Sequence, residues 1–422
     1  MKTKLRTALA MALTLILVFT LSACGPKEAA PTATPTAEPT QPVEDPVDLG
    51  IDFLPDNATD LAQKVLGFPD DTVLLTVNGT EVTAEEYLYW LGNMTSYYDA
   101  MMGMYGGSLN LDEAVDSDGT TWGGQLKESA YQNVLLIAVT PEAAAQYGIT
   151  LDDADMAELR QQRESNIENA GGEEEYARQL QGMGISDKAS FELDRVSALF
   201  AKLQEAYTQN LLTAGGADAL TDEDMAAYLE ETGTLRAKHI LLLTKDPDTG
   251  EEYDDAKKAE QKAKAEDILA KLREDPTQFD TLMNENSEDS GLSSFPDGYL
   301  FGPNEMVTEF EEGTRALAVG EISDIVESTY GYHIILRLDA DCDEARQECA
   351  EQKFNDMMNG FVNNAVVEKK AEYDSFTTKD YYSGLTAFQD TLLEPEVEDQ
   401  STATVEPQPT DEAQSAPTPD AD

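Results

Sequence analysis

The chain has 422 residues, with 83 acidic against 28 basic side chains and a formal charge of −55. So large an acidic excess excludes the electrostatic footprint of a nucleic-acid binder, which needs clustered Lys and Arg to neutralise phosphates. It favours solubility, and the length suffices for two or three domains of ordinary size.

Lys2, Lys4 and Arg6 precede an apolar run from about Leu9 to Phe19, followed by Leu21-Ser22-Ala23-Cys24. A basic start, a short apolar core and small residues predict a secretory signal over 1–23. The core is too short to favour a membrane-spanning helix, which needs roughly 20 apolar residues. The Leu-Ser-Ala-Cys ending resembles a bacterial lipobox, which makes Cys24 the expected lipidation site. The alternative is an ordinary signal peptide with an incidental cysteine. Acylation by two or more chains would hold the protein stably on the extracytoplasmic face of the cell membrane. Residues 24–56 are rich in Pro, Thr, Ala and Glu and read as an extended tether. Residues 389–422, acidic and Pro/Thr-rich, read as a disordered tail.

Residues 57–233 predict a mainly helical domain. Thr72 to Thr83 has the pattern of a tight hairpin with Asn78-Gly79 at the turn. Thr83, with Glu86 three residues on, predicts a capped helix through about Tyr98. Tyr131, Val134, Leu135 and Ala138 have helical spacing, and Thr140-Pro141 reads as a cap and first residue of a continuation through Tyr147. Further helices are expected over Leu151–Asn169, around Val196–Leu212, and from Thr221 to Glu231. Between Thr72 and Glu231 there is no His, no Cys and no Gly-rich phosphate loop. Met94, Met101, Met102 and Met104 have two readings: an adaptable groove for unfolded chains, or ordinary core and loop packing.

The two histidines of the chain, His239 and His333, each open an apolar run with strand character. Between them the pattern predicts a strand at Ala237–Leu243 and a helix from about Ala256 to Arg273. A short helix at Thr277–Asn286, a strand at Tyr299–Phe301, a helix through Glu309–Leu317 and strands near Ile325 and over Tyr332–Leu338 follow. Residues 234–339 therefore read as a small α+β domain with helices on an antiparallel sheet. A C-terminal helical segment, 340–388, is expected to pack back on the first domain. Cys342 and Cys349, if on one helix, sit roughly 10 Å apart, too far for a disulfide.

Ala237-Lys238-His239-Ile240-Leu241 resembles the opening strand of parvulin-type (PpiC) peptidyl-prolyl isomerases. Ser287-Glu288-Asp289-Ser290, Met306-Val307-Thr308-Glu309-Phe310-Glu311, Val319-Gly320-Glu321-Ile322-Ser323 and Tyr330-Gly331-Tyr332-His333-Ile334-Ile335 recur in the family's order and spacing. With the signal, the lipobox and the helical flanks, the whole resembles the PrsA-type foldase lipoproteins, whose chaperone-like domain is related to that of SurA.

The resemblance implies a fold and a chemistry. Met306 and Phe310 would form the proline cup, on one helix face if the helix starts before Met306, with Ser287 beside them on the substrate side. His239 and His333 would be the paired histidines of the pocket floor, Ser328 the hydroxyl bonded to one of them. Asp289 stands where some parvulins carry Cys, which excludes a thiol nucleophile and leaves polar tuning. The expected clients are unfolded or newly exported polypeptides with X-Pro bonds, and no metal or cofactor is needed. Rotation about the amide faces roughly 18–20 kcal/mol because resonance is lost on twisting. An apolar, water-free cup complementary to the twisted amide lowers it without breaking a bond.

Two departures from the family pattern stand out. Pro296-Asp297-Gly298-Tyr299-Leu300-Phe301 places Gly298 where an apolar cup residue is expected. That keeps open the alternative of a holdase with a weakly active or inactive parvulin domain. Lys245 is surrounded by Asp246, Asp248, Glu251 and Glu252, which argues against selection of phosphorylated Ser/Thr-Pro.

Overall fold

The computed structural model describes residues 51–55 and 60–393. The expected signal, Cys24, most of the tether and the tail from 394 lie outside the described residues. The fold is α+β: a helical body contributed by both ends of the described chain, and a four-stranded antiparallel domain between them.

The body starts with a short helix, α1 (Leu61–Val65), and the hairpin β1 (Val73–Val77) and β2 (Thr80–Thr83). Asn78 and Gly79 both take positive φ, 49° and 86°, as a two-residue turn of matching twist requires. Thr83 then caps α2 (Ala84–Met104), its side chain accepting from the Glu86 amide while Glu86 reaches back. This helix runs past the Tyr98 expected from the sequence, because Met and Ala continue its helix-favouring composition to Met104.

Thr140-Pro141 does not start a new helix. A single helix, α3 (Trp122–Gln146), carries Pro141 in its interior. Pro141 leaves one carbonyl of the preceding turn unbonded. The Thr140 hydroxyl donates to Leu136 O at 2.7 Å, and buried Val139, Ala143 and Ala144 keep the helix against the core. There follow α4 (Asp153–Ala170), α5 (Glu173–Met183), α6 (Asp187–Leu212) and α7 (Asp222–Thr232). Neither α5 nor the first turns of α6 were expected from the apolar pattern. Their starts carry Glu173-Glu174-Glu175 and the Ser186 cap.

The C-terminal part, which follows the second domain in the chain, supplies α11 (Asp343–Asn364), β7 (Val367–Lys369) and α12 (Thr378–Leu393). β7 adds to β1, giving the order β2-β1-β7. Phe354, Met358, Tyr373, Phe376 and Tyr381 complete a core begun by Leu74, Tyr87, Leu91, Leu126 and Leu203. Lys127 fastens this closure. Its ammonium donates to Tyr373 O at 2.7 Å and Phe376 O at 2.8 Å, and lies 4.7 and 4.3 Å from their ring centres. The C-terminal segment expected to end at 388 is two helices, the second reaching Leu393.

The second domain comprises β3 (Leu235–Leu243), α8 (Asp255–Glu274), α9 (Phe279–Asn286), β4 (Tyr299–Phe301), α10 (Thr308–Arg315), β5 (Val326–Glu327) and β6 (Gly331–Leu338). Its sheet order is β4-β3-β6-β5, with every pairing antiparallel. Strand alternation then divides the side chains. Ile240, Leu242, Tyr332 and Ile334 pack under α8 and α9, against Ile268, Leu272 and Phe279. Ala237 and Ile335 face α10, with Phe301 and Phe310. Gly331 opens β6 opposite Leu243, and a side chain there would lie 2.1 Å from Leu242 O. Only glycine permits that approach. The body brings the two ends of this domain together through α7 and α11, where Leu220 and Met225 pack on Ala345, Cys349 and Ala350. Lys353 of α11 donates to Asp224 of α7 at 2.8 Å.

Candidate active site

The register of β3 on β6 pairs His239 with Ile335 and Leu241 with His333. The two histidines are thus diagonal neighbours on one sheet face, the relation that lets long side chains of adjacent strands touch. Their Nδ1 atoms lie 3.0 Å apart, and the ring planes differ by 13°. His239 Nε2 is 3.0 Å from Asp289 Oδ2, and His333 Nε2 is 2.7 Å from Ser328 Oγ.

The ends of this chain fix its protons. Burial pushes the Asp289 carboxyl up, but hydrogen bonds from His239, Tyr299 and the Gly291 amide outweigh it and hold it well below the carboxylate range. Asp289 is therefore an acceptor, and His239 Nε2 carries a proton towards it. In a neutral His239, Nδ1 is then the acceptor, so His333 Nδ1 donates and His333 Nε2 accepts from the Ser328 hydroxyl. Burial, with His239 beside it, pushes His333 down to about 3, so this ring is neutral at physiological pH. With His239 neutral, all donors point one way, from Ser328 to Asp289. The Tyr330 amide completes the far end by donating to Ser328 Oγ at 3.1 Å.

Tyr299 was not singled out by the sequence. Its hydroxyl donates to Asp289 Oδ2 at 2.7 Å, and burial followed by the Asp289 charge pushes the phenol up, so it stays protonated. Gly291 makes this possible, since a side chain there would meet the Tyr299 hydroxyl at 2.1 Å. The alternation Tyr299-Leu300-Phe301 was the available signal: both aromatics fall on the face of Ala237, and Phe301 forms part of the apolar wall.

Phe310 lies over the histidines, with ring centres 5.0 Å from His239 and 5.5 Å from His333, and 5.7 Å from Phe301. Met306, half-buried, packs into the same apolar group. It does so from the segment before α10, which starts at Thr308, so no shared helix face joins Met306 and Phe310. The Ser287 hydroxyl accepts from the Leu241 amide at 3.1 Å, on the edge of β3. At Gly298 the backbone leaves no room for a side chain. It has φ +100°, and a Cβ would stand 2.8 Å from Ala237 O, so the backbone itself packs on β3.

The structure thus brings His239, His333, Asp289, Ser328, Met306 and Phe310 into one site: an apolar wall above a polar floor whose hydrogen bonds are internally satisfied. Residues 239–339 match the family model of rotamase, the PPIC-type PPIase domain. This chain carries a PPIC-type isomerase domain. Foldase protein PrsA of Caldanaerobacter subterraneus is 34% identical over 167 residues, covering 39% of this chain and 46% of the relative. Foldase protein PrsA of Geobacillus kaustophilus is 31% identical over 155 residues, covering 36% and 49%. The chain spans about half the length of the curated relatives it matches. Among solved structures, PrsA from Bacillus subtilis is similar at 22% identity and a TM-score of 0.24, over 69% of this chain and 96% of that one. The PrsA-type resemblance seen in the sequence has its counterpart in the Caldanaerobacter and Geobacillus foldases.

Proposed function

We propose that the chain is an extracytoplasmic foldase whose isomerase domain rotates X-Pro bonds in unfolded or newly exported polypeptides. The observation that carries this reading is the Phe310 ring lying over His239 and His333 of the Ser328–His333–His239–Asp289 chain, with Phe301 and Met306 packed in the same apolar group. A proline ring against that wall loses water, and a twisted amide, with its nitrogen pyramidal and its carbonyl no longer conjugated, is less costly to desolvate than a planar one. The hydrogen-bonded pair, with His333 kept neutral by burial, gives the floor a fixed polar surface. The histidines shape the pocket rather than shuttle a proton, since each ring nitrogen already has a partner within the chain.

The basic, apolar start and Cys24 support export and lipid anchoring at the extracytoplasmic membrane face. Cys24→Ser should release the protein from the membrane fraction, and retention of that variant there would remove the anchor from the reading. For the enzyme, the test is acceleration of cis–trans exchange in a proline peptide. Purified chain that leaves the exchange rate unchanged, yet suppresses aggregation of an unfolded protein, would replace the isomerase reading by the holdase one. The observation favouring a holding role beside catalysis is the apolar end of α2, where Met104 and Tyr105 are 86% and 85% exposed.

A further inference from the structure

β4 covers β3 only as far as Ala237, which leaves the same edge of β3 open beside His239. The segment after α9 closes that edge. The Leu241 amide donates to Ser287 Oγ at 3.1 Å, the Glu288 amide donates to Leu241 O at 2.8 Å, and the Leu243 amide donates to Glu288 Oε2 at 2.8 Å. Glu288 is itself held from below. Gln261 of α8, 4% exposed, donates from Nε2 to Glu288 Oε2 at 2.7 Å and to Leu243 O at 3.1 Å. A buried amide is costly unless bonded, so this geometry is strongly specified. The next residue is Asp289, whose carboxylate sets the direction of the whole histidine chain.

We propose that Gln261 and Glu288 form a positioning latch that places Asp289 against His239 and thereby fixes the tautomers of both histidines. Gln261 lies on the opposite side of the sheet from the proline cup and bonds neither histidine. It acts through Glu288. The pair clamps the 287–289 segment in strand-like register, and Asp289 Oδ2 then falls 3.0 Å from His239 Nε2. Loosening the clamp lets Asp289 withdraw, after which His239 has no reason to keep its proton on Nε2 and the directed chain to Ser328 is lost.

The proposal refines the isomerase reading and rests on it, so its test includes a measurement that needs no turnover. The chain has only two histidines, and labelling them with nitrogen-15 gives a spectrum with two imidazoles. In the whole chain, Gln261→Met keeps side-chain volume but deletes both donated bonds, and Glu288→Ala deletes the acceptor. Both should lower kcat/KM roughly ten- to a hundred-fold through kcat, as expected for a sub-ångström loss of registration. Both should also shift the His239 and His333 nitrogen resonances towards mixed tautomers. Glu288→Gln, which retains the accepting oxygen, should restore most of the activity and the parent spectrum. Adding Gln261→Met to Asp289→Ala should cost little more, because the latch acts through Asp289. Unchanged imidazole resonances in folded Gln261→Met, or a full extra loss in the double variant, would overturn the latch. An unmodified chain that does not isomerise at all would sink the isomerase reading instead, while its two imidazole signals would still decide whether the latch sets the tautomers.

Discussion

In the helical body, residues that touch come from opposite ends of the chain. The Tyr87 and Tyr373 hydroxyls are 3.4 Å apart across 286 positions, and the Thr378 hydroxyl bonds Gly123 O across 255. In the isomerase domain the longest link of the site, His239 to His333, spans 94. The body joins by large aromatic and aliphatic surfaces with a half-buried ammonium, Lys127, as fastener. The isomerase domain joins by one sheet register that also builds its site. A contiguous domain of lower contact separation can fold before the body closes around its ends. Chemistry has settled in the part of the molecule whose geometry depends least on the rest.

The strongest way to break this comparison is to remove the closing segment. A chain ending at Asp339 lacks α11, β7 and α12, and should lose the cooperative unfolding of the body while keeping proline isomerisation within a few-fold. Phe354→Ala is the milder version. Its ring packs 5.3 Å from that of Phe200, and its loss should cost about 3–5 kcal/mol in the body transition alone. Calorimetry resolving two transitions checks both; parallel loss of isomerase activity would mean that the domain leans on the body.

Variants of the wall reverse the pattern. Burying a methionine side chain is worth roughly 1.5–3 kcal/mol, so Met306→Ala should lower kcat/KM about ten- to a hundred-fold and leave the body transition in place. His333→Ala should likewise cost isomerase activity more than aggregation suppression. Equal loss of both, with a lower melting temperature, would assign these residues to structure alone.

Acid separates the regions without mutation. His333 is pushed down to about 3 from an ordinary 6.5. The unfolded chain therefore binds the proton first, and the domain loses stability as pH falls from 6.5 towards 3, by about 2 kcal/mol at pH 5. In the body, the Lys353 ammonium, with Thr221, holds Asp224 well below the carboxylate range. Its contribution is present above the unfolded carboxylate pKa, roughly 4, and lost only below it. Burial pushes Asp194 of α6 up to about 6, so the folded body takes up that proton before the unfolded chain does. Between about pH 6.5 and 4.5 the isomerase transition should fall while the body transition holds or rises, and His333→Gln should flatten that fall. A body transition that falls first would contradict the assignment.

The same contrast governs what could be read from the sequence. The isomerase elements were legible because each is local: an apolar strand, a capped helix, a glycine turn. The converging residues His239, His333, Asp289 and Phe310 were legible only through the family resemblance, since no spacing rule joins positions 94 apart. Tyr299 escaped because its role depends on a glycine eight residues earlier having no side chain. Pro141 misled because a local rule for helix starts was overridden by burial of the residues on either side. The second C-terminal helix was not legible, because its apolar positions answer a core that lies almost entirely in the first half of the chain.

Gly298 offers the finest test. Read from sequence, it is a hole in the cup, and a larger residue should then repair catalysis. The structure gives the opposite sign. Its φ of +100° is a conformation that side chains rarely adopt, and a Cβ would press on Ala237 O at 2.8 Å and on a Leu338 methyl at 3.1 Å. Gly298→Ala should therefore destabilise the isomerase domain by about 1–3 kcal/mol. With the wall formed by Met306, Phe301 and Phe310, the folded fraction should keep its kcat/KM. Thermal unfolding beside a proline-peptide assay at low temperature decides between the two. Higher activity in Gly298→Ala would return that position to the cup, whereas a lower melting temperature with unaltered turnover places it in the seam against Ala237 of β3 and Leu338 of β6.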